Sequence, residues 1–290
     1  MDITTTPIAA LALAENGIAW ADMQTYVTVM IALVIVMTIA DLLHKKSATY
    51  FFQAAEKADE LLAAGEAESS IGNETGRLKQ LSTGDKVNAL VATVAIDVAT
   101  AGEFSNGPRR LVHIFTMWGF VLFVAATAII IYGEAENAMS ATAWNIGAIM
   151  LLVGSWGYWF AFKVDCQSEA QSYFQIDLRK DIFSLGLMGT SLATLGWEIY
   201  GGGTGTWFTL VLISTTALFG SVYWSKFSHM FFKPAAAYNK RIIEANGTNE
   251  NLPHETRDDE WQKNRHSMEL LKDAPMDMGL GIKRSKPENY

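Results

Sequence analysis

Residues 111–132 read LVHIFTMWGFVLFVAATAIIIY, twenty-two positions without one Lys, Arg, Asp or Glu. Wound as a helix rising 1.5 Å per residue, the stretch covers about 33 Å. The hydrocarbon core of a bilayer is about 30 Å thick, so about 20 apolar residues cross it. A helix on the surface of a soluble domain would instead show a polar face at a period of 3.6 residues. The stretch therefore predicts a membrane span that carries a histidine, His113, three residues from its start.

Four more blocks have the same character. They are Tyr26 to Leu43, Trp144 to Phe162, Ile182 to Tyr200 and Thr206 to Trp224. Tyr and Trp stand at many of the block ends, as expected of rings that favour the headgroup region. The composition, 50% hydrophobic and 18% charged, fits a chain whose apolar residues are gathered into blocks. The expected fold is an all-α membrane protein, a bundle of five transmembrane helices.

The basic residues set its orientation. Positions 1–44, 111–162 and 181–225 contain no Lys or Arg, so all 22 lie between or beyond those segments. Lys and Arg accumulate on the cytoplasmic side of membrane proteins. Five crossings then place the N-terminus outside and the C-terminus in the cytoplasm, with short external connections at GEAENAMSATA and GGGTG. The expected organisation is an external segment 1–25, a membrane domain 26–232 with a large cytoplasmic loop at 45–110, and a cytoplasmic tail 233–290. The location that follows is multi-pass, in the inner (cytoplasmic) membrane of a bacterium. The N-terminal segment has an "ALA" but no basic region ahead of it, and reads as uncleaved. Asn246 opens an N-G-T sequon, which on the cytoplasmic side reads as chance.

Within the loop, ATYFFQAAEKADELLAAGEAE has helical spacing, and NALVATVAIDVATA is apolar but broken by Asp97. The second reads as a helix lying on the membrane or packed under the bundle. Beyond Pro234 the composition turns polar, which predicts a tail without the apolar surface to fold alone. The net charge of -8, with no basic stripe, speaks against nucleic acid. The single cysteine, Cys166, excludes a disulfide framework and cysteine-ligated zinc or iron–sulfur sites. No nucleophile–base constellation for hydrolysis or group transfer is found.

Three of the five histidines, His44, His113 and His229, fall at the basic ends of the first, second and fifth blocks. Counted along their helices, His44 and His113 lie about 27 and 28 Å from the external ends, and His229 slightly beyond that depth. Each alone is compatible with an interfacial histidine. Together, on different helices at one depth and without a carboxylate cluster, they suit a flat cofactor clamped between helices, for which bis-histidine haem b is the usual choice. Zinc would need further ligands nearby, and only Asp41 beside His44 offers itself. Gly119, Gly220 and Ser221 are small enough for a macrocycle to approach. Arg109, Arg110, Lys226 and Lys233 could meet haem propionates, although the orientation rule alone explains them. His254 and His266 lie in the polar tail.

Three segments resemble a known family. RRLVHIFTMWGFVLFVAAT, LRKDIFSLGLMGTSLATLGWEIY and KFSHMFFKPAAAY, in that order, are similar to the second, fourth and fifth helices of cytochrome b-type membrane subunits typified by the nitrate reductase gamma chain. Relatives of that chain occur in heterodisulfide-reductase-like complexes. The resemblance covers about 110–235. It implies one haem b ligated by His113 and His229, with Arg109, Arg110 and Lys226 as possible propionate contacts. The outer haem of the nitrate reductase member would need ligands near Phe123 and Val211, which cannot bind iron. The loop, the length and the closing DAPMDMGLGIKRSKP resemble the membrane anchors that accompany adenylylsulfate reductase in sulfur-oxidising bacteria.

Carried over, the resemblance implies a non-catalytic, electron-transfer subunit. It would exchange electrons between a cytoplasmic flavin and iron–sulfur oxidoreductase, adenylylsulfate reductase by that likeness, and membrane quinone. His44 is the expected quinone-side residue, since an imidazole can relay protons near neutral pH. A cofactor-free anchor that recruits a soluble enzyme is the alternative. A transporter fits less well, because the blocks hold almost no charge; Asp41 and Glu198, both near helix ends, form no ion path.

Overall fold

The computed structural model describes residues 4–8, 20–64, 79–102, 104, 106–133, 137–163, 172–200 and 202–248. All regular structure among them is helical. The helices are α1 Trp20–Ala40, continued by a wider π-helical turn Asp41–Lys45; α2 Ser47–Ala64; α3 Thr83–Ala92, continued by a π-helical Thr93–Val98; α4 Gly107–Tyr132; α5 Ala138–Ala161; α6 Leu178–Ile199; α7 Thr206–Gly220; and α8 His229–Asn246. A short 3₁₀ turn, Lys226–Ser228, precedes α8. Four helical segments, Trp20–Lys45, α4, α5 and α6, are long and apolar enough to cross a membrane. Cys166, His254, His266 and the closing motif fall outside the described residues.

The long helices start earlier than apolarity alone predicts, because polar caps define their ends. Asn106 accepts a hydrogen bond from the Arg109 N–H at 3.0 Å, with Pro108 in the first turn of α4. The Asn137 side chain accepts from the Met139 N–H at 2.9 Å, so α5 begins at Ala138 and not at Trp144. Asp177 caps α6 by accepting from the Arg179 N–H at 3.1 Å. Each cap satisfies a backbone donor that has no partner within the helix.

The chain forms two compact units. The first, Met1–Lys45 with Asn106–Met230, is a helical bundle built on two glycine seams. Along α4 and α5, a β-carbon on Gly119 would lie 2.6 Å from the Leu151 nitrogen, one on Gly147 2.6 Å from the Phe123 nitrogen, and one on Gly154 2.4 Å from the Thr116 nitrogen. The two backbones therefore touch in antiparallel register. Helices in lipid gain dispersion by such approach, since lipid and side chains are equally apolar. Trp144 closes the seam, its ring tilted against Phe123 at 5.2 Å and its indole N–H donated to Thr127 Oγ1 at 3.0 Å.

The second seam joins α6 to α7. Gly186 faces Leu218, Gly189 faces Ser214, and the Trp207 ring lies on Gly196. Here the spacing 186, 189, 196 puts small residues on one helical face. The last block, expected to span Thr206 to Trp224, is helical only to Gly220, 15 residues or about 22 Å. Residues 221–225 turn, and Phe227 then lodges against Phe183, Phe219 and Phe120 at 5.3, 5.9 and 6.0 Å. The chain thus runs antiparallel along α6 past Gly186 and reaches Phe183 by a turn where a longer helix was expected.

The described residues of the N-terminal part contact the bundle. The helix α1 begins at Trp20, inside the segment expected to precede it, and Asn145 donates its side-chain N–H to the Thr5 carbonyl. Gln24 donates to the Ile131 carbonyl, and Tyr26 shares hydrogen bonds with Thr215 and Thr216. The opposite face of α1, with Val29, Ile35, Val36 and Ile39, is exposed.

The second unit comprises Lys46–Ser105 and Phe231–Tyr290. Ser82 and Asp85 form a reciprocal capping box at the start of α3. Asp97, which interrupts the apolar stretch, is held by Arg241 of α8 in a two-pronged pair at 2.5 and 2.8 Å. The helix α8 continues through Pro234 to Asn246, further than the polar composition predicts. Phe232, Ala237, Ile242 and Ile243 along it are buried. Asn246 is fully buried, so its sequon is closed to modification in this fold.

Candidate functional site

The site expected from sequence lies where α1, α4, α6 and the turn before α8 end. His113 sits in the second turn of α4, partly exposed, with its Nδ1 buried. Phe120, two turns further along α4, packs on Phe227, two residues before His229. His229 itself opens α8. The aromatic cluster of Phe120, Phe183, Phe219 and Phe227 thus brings the helix end that carries His113 and the chain that leads to His229 to one end of the bundle.

The remaining expected residues divide. Arg109 and Arg110 lie partly buried in the first turn of α4, and their backbone N–H groups bond to the Asn106 cap. Lys226 is exposed. Lys233 belongs to the second unit, its ammonium 5.5 Å from the Phe104 ring centre. Phe123 and Val211 are part of the apolar core around Trp144 and Phe208. Gly119, expected to give a macrocycle room, faces the backbone of α5 at contact distance, so that room is already used. Gly220 differs: a β-carbon there meets nothing within 4 Å.

Residues of the kind that would hold a haem are therefore present near this end of α4. They comprise a part-buried imidazole, a second histidine on an element packed to the same end, and open space at Gly220. A surface depression of about 470 Å³ lies elsewhere, lined by Leu122, Ala138, Met139, Thr142, Ala143 and Ile146. Its nearest residue on α4 is nine positions, or about 13 Å, from His113.

His44, the expected quinone-side residue, is exposed. Three residues earlier, Asp41 is only 1% exposed, in the π-helical turn that ends α1. Its Oδ2 lies 3.8 Å from the Lys45 ammonium, while its Oδ1 is buried without a hydrogen-bond donor among the described residues. The Thr38 hydroxyl, one turn back, is also buried and finds no partner among them. Lys45 in turn donates to the Tyr223 carbonyl and lies 3.9 Å above the centre of that ring. The acid was visible in the sequence, as the one carboxylate inside the first apolar block. Its burial was not, because that depends on the turn after α7.

At the α5–α6 junction, Lys163 pairs with Asp181 at 2.9 Å and lies 3.4 Å above the centre of the Trp159 ring. Asp181 also accepts the Asp177 N–H at 3.0 Å. This closed pair fixes the helix ends and leaves no open valence for chemistry. Outside the bundle, Lys79 and the Ser82 backbone and hydroxyl hold the Asp85 carboxyl down at a pKa of about 2.

Comparison with family models, with curated proteins and with solved structures finds no match to the chain.

Proposed function

We propose that this chain is a five-crossing membrane subunit that passes electrons between a cytoplasmic oxidoreductase and the quinone pool through one haem b. The observation that supports the reading is the Phe120–Phe227 contact, which sets the segment leading to His229 against α4, seven residues along that helix from His113. In this reading α7 with the turn at 221–225 completes the fifth crossing, and the basic ends of the helices face the cytoplasm. The N-terminus then lies outside, in the inner membrane of a bacterium.

His113 and His229 would hold the iron, and a haem so ligated supplies one-electron chemistry. The chain's own residues bind and orient. The Phe120, Phe183, Phe219 and Phe227 rings exclude water on the deep side of the site, and Arg109 and Arg110 place positive charge at its edge. Phe123 and Val211, packed in core, offer no second pair of ligands. One haem near the inner surface suits exchange with quinone on that side. The soluble partner proposed is a flavin and iron–sulfur enzyme such as adenylylsulfate reductase, on the likeness of the loop and closing motif.

A reduced-minus-oxidised visible spectrum of the purified protein tests the reading, with His113→Ala and His229→Ala alongside. The expected result is a b-type alpha band lost in both variants. A well-folded, haem-supplied preparation without the band would leave a cofactor-free anchor.

A further inference from the structure

An acid inside an apolar helix end calls for a partner, and Asp41 has only half of one. Every polar contact of Asp41 among the described residues is with Lys45, at 3.8 Å from Oδ2. Its Oδ1 has less than 1 Å² of exposed surface and accepts nothing. A desolvated carboxylate oxygen without a donor is costly, so such groups are rare unless they serve a ligand. The Thr38 hydroxyl, adjacent on the same helical face, is in the same condition. Both sit where the helix widens into a π turn, a distortion concentrated at functional sites.

The surroundings define what can come. Val34 and Met37, on the face that also carries Thr38 and Asp41, pack against the core cluster of Leu151, Leu187, Leu218, Val222 and Phe227. That face looks toward the end of α7, where Gly220 has open space beside it. On the other side, Ile35, Ile39 and Leu42 are exposed and apolar, so a lipid-soluble molecule can approach along α1. A carboxylate oxygen accepts hydrogen bonds only, whereas a threonine hydroxyl can both give and accept. The missing ligand group is therefore a donor on an apolar body.

We infer that Asp41 Oδ1 and Thr38 Oγ1 form the binding site for the hydroxyl of a lipid-soluble hydroquinone at the Lys45 end of α1. The inference rests on the proposed quinone exchange and adds two things to it. It moves the quinone contact from His44 to Asp41. It also predicts a preference for the reduced ligand, because a quinone carbonyl has no hydrogen to give a carboxylate.

The test is anaerobic titration calorimetry of the full-length protein in detergent with decylubiquinol and with decylubiquinone. The wild type should bind the quinol at least tenfold more tightly than the quinone. Asp41→Asn should bring the quinol to within threefold of the quinone. Thr38→Val, which keeps the shape, should weaken quinol binding at least threefold, and His44→Ala should leave it unchanged. Circular dichroism guards against misfolding: each variant should keep the helical signal and melting curve of the wild type. Quinol binding unchanged in Asp41→Asn or in Thr38→Val overturns the inference and leaves the haem reading standing. Failure of the wild type to bind either ligand overturns the inference and the proposed quinone exchange together, and the haem spectrum then decides what remains.

Discussion

Gly147→Ala should loosen the bundle at its tightest seam. The added β-carbon would sit 2.6 Å from the Phe123 nitrogen and 3.0 Å from both the Phe123 Cα and the Gly119 carbonyl oxygen. All three neighbours are backbone, so no rotamer change relieves the clash. Reaching ordinary contact at 3.4 Å means parting α4 from α5 by 0.8 Å. A radial gap of 0.5–1 Å forfeits roughly a quarter to a half of each dispersion contact it opens. Overpacking of this kind costs about 1–3 kcal/mol, against a helix-propensity gain for alanine of at most about 1 kcal/mol. The net expectation is a loss of about 1–2 kcal/mol, read as an earlier midpoint in sodium dodecyl sulfate titration of the protein in mild detergent. Gly220→Ala, where the β-carbon meets nothing, is the control and should stay within about 0.5 kcal/mol of wild type. A Gly147→Ala protein as stable as wild type would show that the seam is not in backbone contact, and the argument for the α4–α5 register would fail.

Other perturbations test the remaining contacts. Arg241→Ala should destabilise the second unit by about 2 kcal/mol, because Asp97 loses two charge-assisted bonds in a largely buried position; amide exchange in α3 and α8 would report it, and exchange as slow as in wild type would show the pair to be ornamental. Lys163→Met should cost about 3 kcal/mol by leaving Asp181 buried without its cation. Adding Asp181→Asn should recover most of that loss in thermal melts. Asp85 has a depressed carboxyl, so its contribution is present above the unfolded value near 4 and is lost as pH falls toward about 2. Amides in the first turn of α3 should therefore exchange faster through that window, and Asp85→Asn should abolish the dependence.

Much of the bundle was legible in composition, because crossing a bilayer demands length and apolarity that no soluble helix needs. The block 111–132 lies within a helix found in the structure, and the blocks 144–162 and 182–200 do so up to their last residue, which caps the helix. What composition missed was polar and local. Asn137 moves the start of α5 back by six residues from Trp144, since one cap outweighs a few less apolar positions. The end of α7 at Gly220 was hidden because the block stays apolar to Trp224, and a turn there is set by Phe227 lodging among rings distant in sequence. The Asp97–Arg241 pair joins residues 144 positions apart. Such a pair converts an interruption in an apolar stretch into a contact, which no local pattern announces.

The site divides in the same way. His113 was readable as an imidazole at a helix end, and the sequence order alone placed His229 beyond the last block. That the two segments meet depends on Phe120 and Phe227, which look like ordinary apolar residues in the sequence. Gly119 illustrates the converse. A glycine in a membrane helix signals close approach, but not by what, and here the visitor is α5.

The account rests most directly on five crossings that bring Lys45, His113 and His229 to the same face of the membrane. Single cysteines placed at position 204 and at position 226, exposed positions on either side of α7, in a chain with Cys166→Ser, would report it in intact cells with a membrane-impermeant maleimide. The expected result is labelling at 204 and none at 226 until the membrane is opened. Labelling at both positions in intact cells would put the two ends of α7 on one side, and His113 and His229 could then share no haem.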